Sequence, residues 1–303
     1  MTHLSDSFVL SYARPPSDDV IQRAIKHHTA VRDLLGTGYL TLLQGSYRNH
    51  TALAELNDVD ILAIDRAMDR DEQARRYGDD AAAWRARFSQ IERALQRDPR
   101  YAERWERRDK CIRLNTPVRL DIVPALGAPD AERDPIVIYS FERRETLRSW
   151  PRAHYEANVA KSQATHGAFK QTVRLLKRWA RAHFGRRPVA PSYMIEALVH
   201  SVPDARFQGR PAEVFYRVIS TLLDTHRPLA QWLLSPSSLD RYRAAHELPR
   251  PGVPGEVIED WPEEARRELF DALADSREAL RAALTAPTPA RAEAAWRSAF
   301  HGQ

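Results

Sequence analysis

The sequence predicts an α+β protein, with a mixed sheet and flanking helices in its first half and only helices in its second. Three observations carry that prediction. Between residues 39 and 140, short apolar runs bounded by Gly, Pro, Asn or Asp surround one long amphipathic stretch. Beyond Pro151 the strand signals fade, and apolar residues recur at spacings of three and four. The apolar share is 43%, enough for a sizeable core, and no repeat or low-complexity tract interrupts it. At roughly 150 residues per domain, 303 residues suit one large or two small domains. The change of pattern places the division near 140–155, giving 1–150 and 151–303.

Each element has a local reason. In "SDDVIQRAIKHHTAVRDLL", Ser17 can cap a helix, two Asp fall in its first turn and Gly36 can stop it. Ile21, Ala24, Ile25, His28, Val31 and Leu35 share one face. "YLTLLQ" and "DVDILAID" read as strands. The stretch from Asp71 to Asp98 reads as a helix with Tyr77, Ala81, Trp84, Phe88, Ile91 and Leu95 on one side and charge on the other. "KCIRLN" and "VRLDIVPAL" read as paired strands joined through "NTP", and "PIVIYS" adds another. The second half reads as helices near 152–163, 168–184, 192–201, 211–224, 261–284 and 288–300, separated by loops such as "GRRPVAP" and "ELPRPGVPGE".

Net charge is +5 and the surplus is Arg-rich, which suits phosphate-bearing ligands without choosing between nucleotides and polymers. The single cysteine, Cys111, excludes internal disulfides and cysteine-built zinc sites, and it reads as a buried strand residue. The eleven histidines show no metal spacing; His27, His28, His154 and His166 read as surface or packing residues. No apolar run approaches membrane-spanning length and no leader pattern opens the chain, so a soluble cytoplasmic protein is expected.

The chemistry concentrates in "QGSYRNHTALAELNDVDILAID". Strand residues two apart share a face, so Asp58 and Asp60 project together, where they repel each other and bear a desolvation cost. A hard divalent cation such as Mg²⁺ relieves both problems. Asp121, set between Leu120 and Ile122 in a later strand, would join them if the two strands are neighbours. Three converging acids can hold two ions that activate a hydroxyl and stabilise leaving pyrophosphate. Gly45, at the end of a strand turning into a helix, permits close backbone approach to an anion, and Ser46 offers a short hydroxyl. Arg48, or Thr51 one turn on, can assist. Taken singly, Gly-Ser is a common turn, Asp-Val-Asp a strand edge or calcium site, and Asp121 a surface acid; the ordered conjunction is far more specific.

That conjunction resembles the DNA polymerase β-like nucleotidyltransferase superfamily. Within it, "QGSYRNHTAL…NDVDILAI" is similar to the cGAS/DncV-like nucleotidyltransferases, or CD-NTases, of bacterial anti-phage (CBASS) systems. A second block, from Trp150 to Val199 with "FKQTVRLLKRW" and "PSYMIE", resembles the helical lobe of those proteins, so the likeness covers about residues 17–235. Length and motif style are most similar to the clade E, CdnE-like members, which often use uridine nucleotides. The resemblance implies a polymerase β-like core (1–150) and a helical lobe (151–303) closing over the nucleotide. It implies catalytic, metal-holding Asp58, Asp60 and Asp121, two Mg²⁺ or Mn²⁺ ions, and a triphosphate loop at Gly45 and Ser46. ATP, UTP or other nucleoside triphosphates would be substrates for a cyclic di- or oligonucleotide messenger, read by a separate effector protein. The tail from residue 236 carries no usable motif.

In the helix at 168–184, Lys170, Arg174, Lys177 and Arg181 form a basic stripe opposite an apolar face. A solvated stripe is the plain reading; the resemblance puts it over the triphosphate, with Lys177 and then Lys161 as phosphate contacts. Ser192 is either a helix N-cap or a phosphate contact, and Tyr193 either stacks on a base or packs. Asn158 either reads a base edge, as an asparagine does in uridine-using relatives, or faces solvent. Two other functions compete. A nucleotidyltransferase acting on RNA, a protein or a small molecule needs a different acceptor site, and no RNA-binding module is visible. A non-catalytic scaffold or antitoxin has no reason to keep three costly carboxylates. The lone cysteine also argues against a nucleic-acid-activated enzyme with a cysteine zinc insertion.

Overall fold

The computed structural model describes residues 2–56, 58–66, 81–127, 135–185, 187, 189–226, 248–253, 257–258 and 261–301. Tyr77 and most of the motif-free stretch between 236 and 260 lie outside them. The helices are α1 (Asp6–Ser11), α2 (Asp18–Leu35), α3 (Gly45–Arg48), α4 (Ala81–Gln96), α5 (Pro151–Ala164), α6 (Ala168–Phe184), α7 (Ser192–Ser201), α8 (Pro211–His226), α9 (Glu263–Thr285) and α10 (Pro289–His301). The strands are β1 (Tyr39–Gln44), β2 (Asp58–Asp65), β3 (Trp105–Arg107), β4 (Ile112–Leu114), β5 (Arg119–Ala125), β6 (Ile136–Ser140), β7 (Glu145–Ser149), β8 (Leu248–Pro249) and β9 (Val257–Ile258). They fall into two compact units, Pro16–Tyr155 and Met1–Pro15 with Glu156–Gln303.

In the first unit the period-two patterns of β2 and β5 become the centre of a five-stranded sheet ordered β1-β2-β5-β4-β3. β2 pairs parallel with β5 and antiparallel with β1; β4 is antiparallel to both β5 and β3. A parallel pair requires a crossover, and residues 66–118, including α4, supply it. One face of the sheet is apolar: Val59, Ile61, Ala63, Ile112, Leu114, Leu120 and Ile122 pack with Ala24, Val31 and Leu35 of α2 and with Phe88, Ile91 and Leu95 of α4. Fully burying such a side chain stabilises the fold by roughly 1.5–3 kcal/mol. On the opposite face Leu62, Ile64, Val123 and Ala125 meet Ile136 of the β6–β7 hairpin.

The expected face of α2 holds except at Ile25, which is 38% exposed because the sheet covers only a narrower stripe. Ser17 is the N-cap residue of α2, but no side-chain cap bond forms there. Elements without a strong sequence signal are the short β3, the β7 half of the hairpin, and α1. Helix α1 forms because Ser5 Oγ accepts the Phe8 backbone N–H at 3.2 Å and Leu4 and Val9 are buried.

In the second unit Phe169, Val173, Leu176 and Trp179 form the buried stripe of α6, against α7, α8 and α10. Trp179 Nε1 donates to Ser276 Oγ at 2.9 Å, which satisfies a buried indole. Trp296 and Phe300 of α10 pack on Phe215 and Tyr12. Arg210 binds the amino-terminal segment, donating to the Thr2 carbonyl at 2.9 Å and to Asp6 at 3.0 Å, and also to the Leu4 carbonyl. Among the described residues no helix is long and apolar enough to cross a membrane.

Burial holds the pKa of His28 below its ordinary 6.5, with Arg32 adding to the effect, and His27 is lowered chiefly by burial as well. Both bind a proton more readily in the unfolded chain, so the stability they confer is present above about pH 6.5 and is lost as pH falls below it. Melting temperature should therefore drop between pH 7.5 and 5.5, and less steeply in His28→Gln; an equal slope in that variant would remove His28 from this account.

Candidate active site

The strand register assembles a polar row across the sheet. Gln44 pairs with Asp60, Asp60 with Asp121, and Asp121 with Arg113. Residues opposite one another on paired strands share a face. The neighbouring row begins with Asp58 opposite Arg119. The row one step the other way, Leu43–Ile61–Ile122–Ile112, belongs to the apolar face. Asp58, Asp60 and Asp121 thus lie together on the face turned away from α2 and α4.

Gly45 closes the row at the edge strand. Its φ is +68°, and a Cβ built there would stand 2.1 Å from Asp60 Oδ2. Glycine is required on two counts, the left-handed backbone and the close approach of a carboxylate. The single turn α3 follows and brings Ser46 to a half-buried position. The Ser46 carbonyl accepts from Thr51 N at 2.9 Å and Ala52 N at 3.1 Å, and the Thr51 hydroxyl lies 3.5 Å from the same oxygen. Thr51 is fully buried, so it supports the loop from beneath rather than meeting a phosphate. Exposed Arg48 lays its guanidinium over the Tyr155 ring, 3.8 Å from the centroid.

The side chain of Asp121 differs from expectation. Arg113 Nε donates to Oδ1 at 2.8 Å and its terminal nitrogen to Oδ2 at 2.6 Å, a bidentate pair that uses both carboxylate oxygens. The three acids share a face through their backbone, yet among the described residues no three His, Cys, Asp or Glu side chains are grouped to hold a metal. Asp121, only 8% exposed, is held by the nearest cation. In donor chemistry Asp58 and Asp60 fit a hard divalent cation; at Asp121 such a cation competes with the charge of Arg113. Cys111 is half-buried rather than buried, just ahead of β4. Burial first, then the charge of Asp121, pushes its thiol up to about 12, so it is inert as a nucleophile at neutral pH.

In the helical unit three of the expected residues have protein partners of their own. Lys177 is not on a solvated stripe: it is buried and pairs with Glu196 Oε1 at 2.7 Å. Asn158 faces neither solvent nor an open base pocket: it has no exposed surface and donates Nδ2 to Glu196 Oε2 at 3.1 Å. Lys161 is taken up by the Val202 carbonyl and Asp204 instead of standing ready for a phosphate. One buried carboxylate, Glu196, organises the first two because an ion at 1% exposure needs its partners within reach. Arg174 of the same stripe donates to the Ala13 carbonyl at 2.7 Å. Ser192 opens α7 without making a cap bond, and Tyr193 beside it is 40% exposed.

Residues 156–246 match the model of the cGAS/DncV-like nucleotidyltransferase C-terminal helical domain. The curated proteins of similar sequence are cyclic nucleotide synthases. It is 28% identical over 248 residues to the cyclic UMP-AMP synthase of Rhodothermus marinus, covering 75% of this chain and 81% of that protein. It is 29% identical over 232 residues to the cyclic dipurine nucleotide synthase of Elizabethkingia meningoseptica, covering 68% and 79%. The fold matches that of E. coli MS115-1 CdnC with ATP at a TM-score of 0.72 and 19% identity, across 99% of this chain and 98% of that one. This is the polymerase β-like nucleotidyltransferase fold, with a mixed sheet, flanking helices and a helical carboxy-terminal region. Arg113 and Glu196 are the site-related residues that sequence patterns missed. Their only local signals were a charged residue alternating with Ile112 and Leu114, and an acid inside the apolar run of α7.

Two substitutions test this geometry. Gly45→Ala should cost about 2–5 kcal/mol in denaturant unfolding, from the left-handed backbone and a displaced carboxylate; a loss under about 0.5 kcal/mol would mean that Asp60 is not held against the turn. Glu196→Ala strands a buried ammonium and should cost about 3–5 kcal/mol, with Glu196→Gln milder; a change of less than 1 kcal/mol would place Lys177 in solvent.

Proposed function

We propose that the protein is a nucleotidyltransferase that condenses nucleoside triphosphates into a cyclic di- or oligonucleotide signal of anti-phage defence. The observation that carries this reading is the row Gln44–Asp60–Asp121, ending against the glycine turn that presents Ser46. In each step a ribose hydroxyl oxygen bonds to the α-phosphorus of a triphosphate. The bond from that phosphorus to its bridging oxygen breaks, and pyrophosphate leaves with the electron pair. Asp121 would receive the hydroxyl proton, and it becomes a stronger base once Arg113 no longer holds its oxygens. Ser46 supplies a hydroxyl donor to the triphosphate, and Gly45 keeps the backbone low enough for phosphate and Asp60 to share the space.

Asp58 and Asp60 would hold a divalent cation, Mg²⁺ or Mn²⁺, with Asp121 completing a two-ion set. Such ions supply neutralisation of the carboxylates and of the charge developing on the leaving pyrophosphate. Base choice is not shared by the two relatives, since one is a UMP-AMP synthase and the other a dipurine synthase. UTP paired with ATP is the first combination to examine. A separate effector protein that senses the product is the expected consumer.

Incubation with an equal mixture of four NTPs and Mg²⁺ or Mn²⁺, phosphatase treatment and mass spectrometry test the reading. A phosphatase-resistant cyclic product is expected. It should fall by about a thousandfold or more in Asp58→Asn/Asp60→Asn, on the scale of losing an electrostatic element of a site. No resistant product from any NTP mixture would sink the proposal.

A further inference from the structure

The proposed chemistry uses both Asp121 oxygens, and in the structure each of them accepts a hydrogen bond from Arg113. Arg113 and Asp121 are direct cross-strand partners, and the guanidinium meets the carboxylate in a two-point contact of 2.8 and 2.6 Å. The two residues differ in freedom. Asp121 is anchored in β5, a central strand paired on both sides, by a short side chain 8% exposed. Arg113 is in β4, only three residues long, on a long side chain 23% exposed. If the contact opens, Arg113 is the partner that moves. The register sets Arg113 in one row with Asp121 and Asp60, so it belongs to the acid-bearing face of the sheet.

We propose that Arg113 is an exchangeable counter-ion for the candidate metal site, holding the third carboxylate in the nucleotide-free protein and giving it up when a divalent cation enters with substrate. The proposal rests on the nucleotidyltransferase reading above. A planar guanidinium with two parallel N–H donors is the side-chain group that best replaces a divalent cation on a carboxylate. It offsets the repulsion among Asp58, Asp60 and Asp121 while no ion is present, and so keeps the sheet face assembled. The same contact competes with the ion. Cation binding by the free protein is thereby weakened, and binding together with the triphosphate, which brings its own charge, is favoured. Arg113 is a positioning residue in this scheme, since it acts through Asp121 and touches no reacting atom.

Mn²⁺ titration followed by electron paramagnetic resonance, on the full chain without nucleotide, reads the exchange directly. Arg113→Gln removes the competing charge and should bind Mn²⁺ about tenfold more tightly, on the order expected for one charge near a partly exposed site. Arg113→Lys keeps a cation and should stay close to the unmodified protein. In an Asp121→Asn background Arg113→Gln should change the affinity little, because the contact it relieves is already gone. Nitrogen-detected NMR of the Arg113 Nε–H covers the case in which Gln prevents folding. That signal should be protected from solvent exchange without metal and lose protection when Mg²⁺ and a non-hydrolysable ATP analogue are added. Equal or weaker Mn²⁺ binding in a folded Arg113→Gln protein, or an Arg113 signal indifferent to Mg²⁺ and nucleotide, overturns the exchange alone. An unmodified protein that binds no Mn²⁺ even with the analogue present overturns the metal reading as well.

Discussion

Parallel pairing of β2 with β5 brings Asp60 next to Asp121, and the rest of the candidate site depends on that register. A slip of one residue would turn either Asp121 or the Asp58–Asp60 pair into the apolar layer beneath α2 and α4 and part the three acids. The register is held from that layer, where Ile61 and Ile122 pair with Leu43 and Ile112 among fully buried neighbours. The crossover is long, but its cost grows only slowly with length, and α4 recovers it by covering the sheet. Packing on one side of the sheet therefore positions charge on the other.

Charge on that face is balanced within the sheet. Arg113 and Arg119 stand opposite Asp121 and Asp58 in the register. The helical unit shows the same economy of partners, with Glu196 serving both Lys177 and Asn158. In both places a basic residue with a phosphate-binding look is already held by a carboxylate. Binding an anionic ligand at either place means rearranging ion pairs rather than filling an open pocket.

Much of the fold was legible because local pattern and tertiary role coincide. The period-two runs of β2 and β5, and the heptad-like spacing of Trp84, Phe88, Ile91 and Leu95, describe faces that are in fact buried. Gly45 and the acids were legible because glycine and paired carboxylates are costly in a strand and so call for a reason. What stayed hidden depends on partners distant in the chain. Nothing near Lys177 signals that Glu196, nineteen residues away, will pair with it. Periodicity gave Arg113 a face of the strand but not its bond to Asp121. Ile25 shows the converse, an apolar residue in phase with a buried face that the sheet does not reach.

The opening segment of the chain belongs to the helical unit, not to the sheet it precedes. Arg210 grips the backbone at Thr2 and Leu4, Arg174 holds Ala13, and Tyr12 lies against Trp296 and Phe300. During synthesis residues 16–155 emerge ahead of the helices on which residues 2–15 pack, so the opening segment must wait for α10. A fusion partner or an affinity handle placed at the amino terminus would thus bear on the helical bundle, at the far end of the sequence from where it was attached.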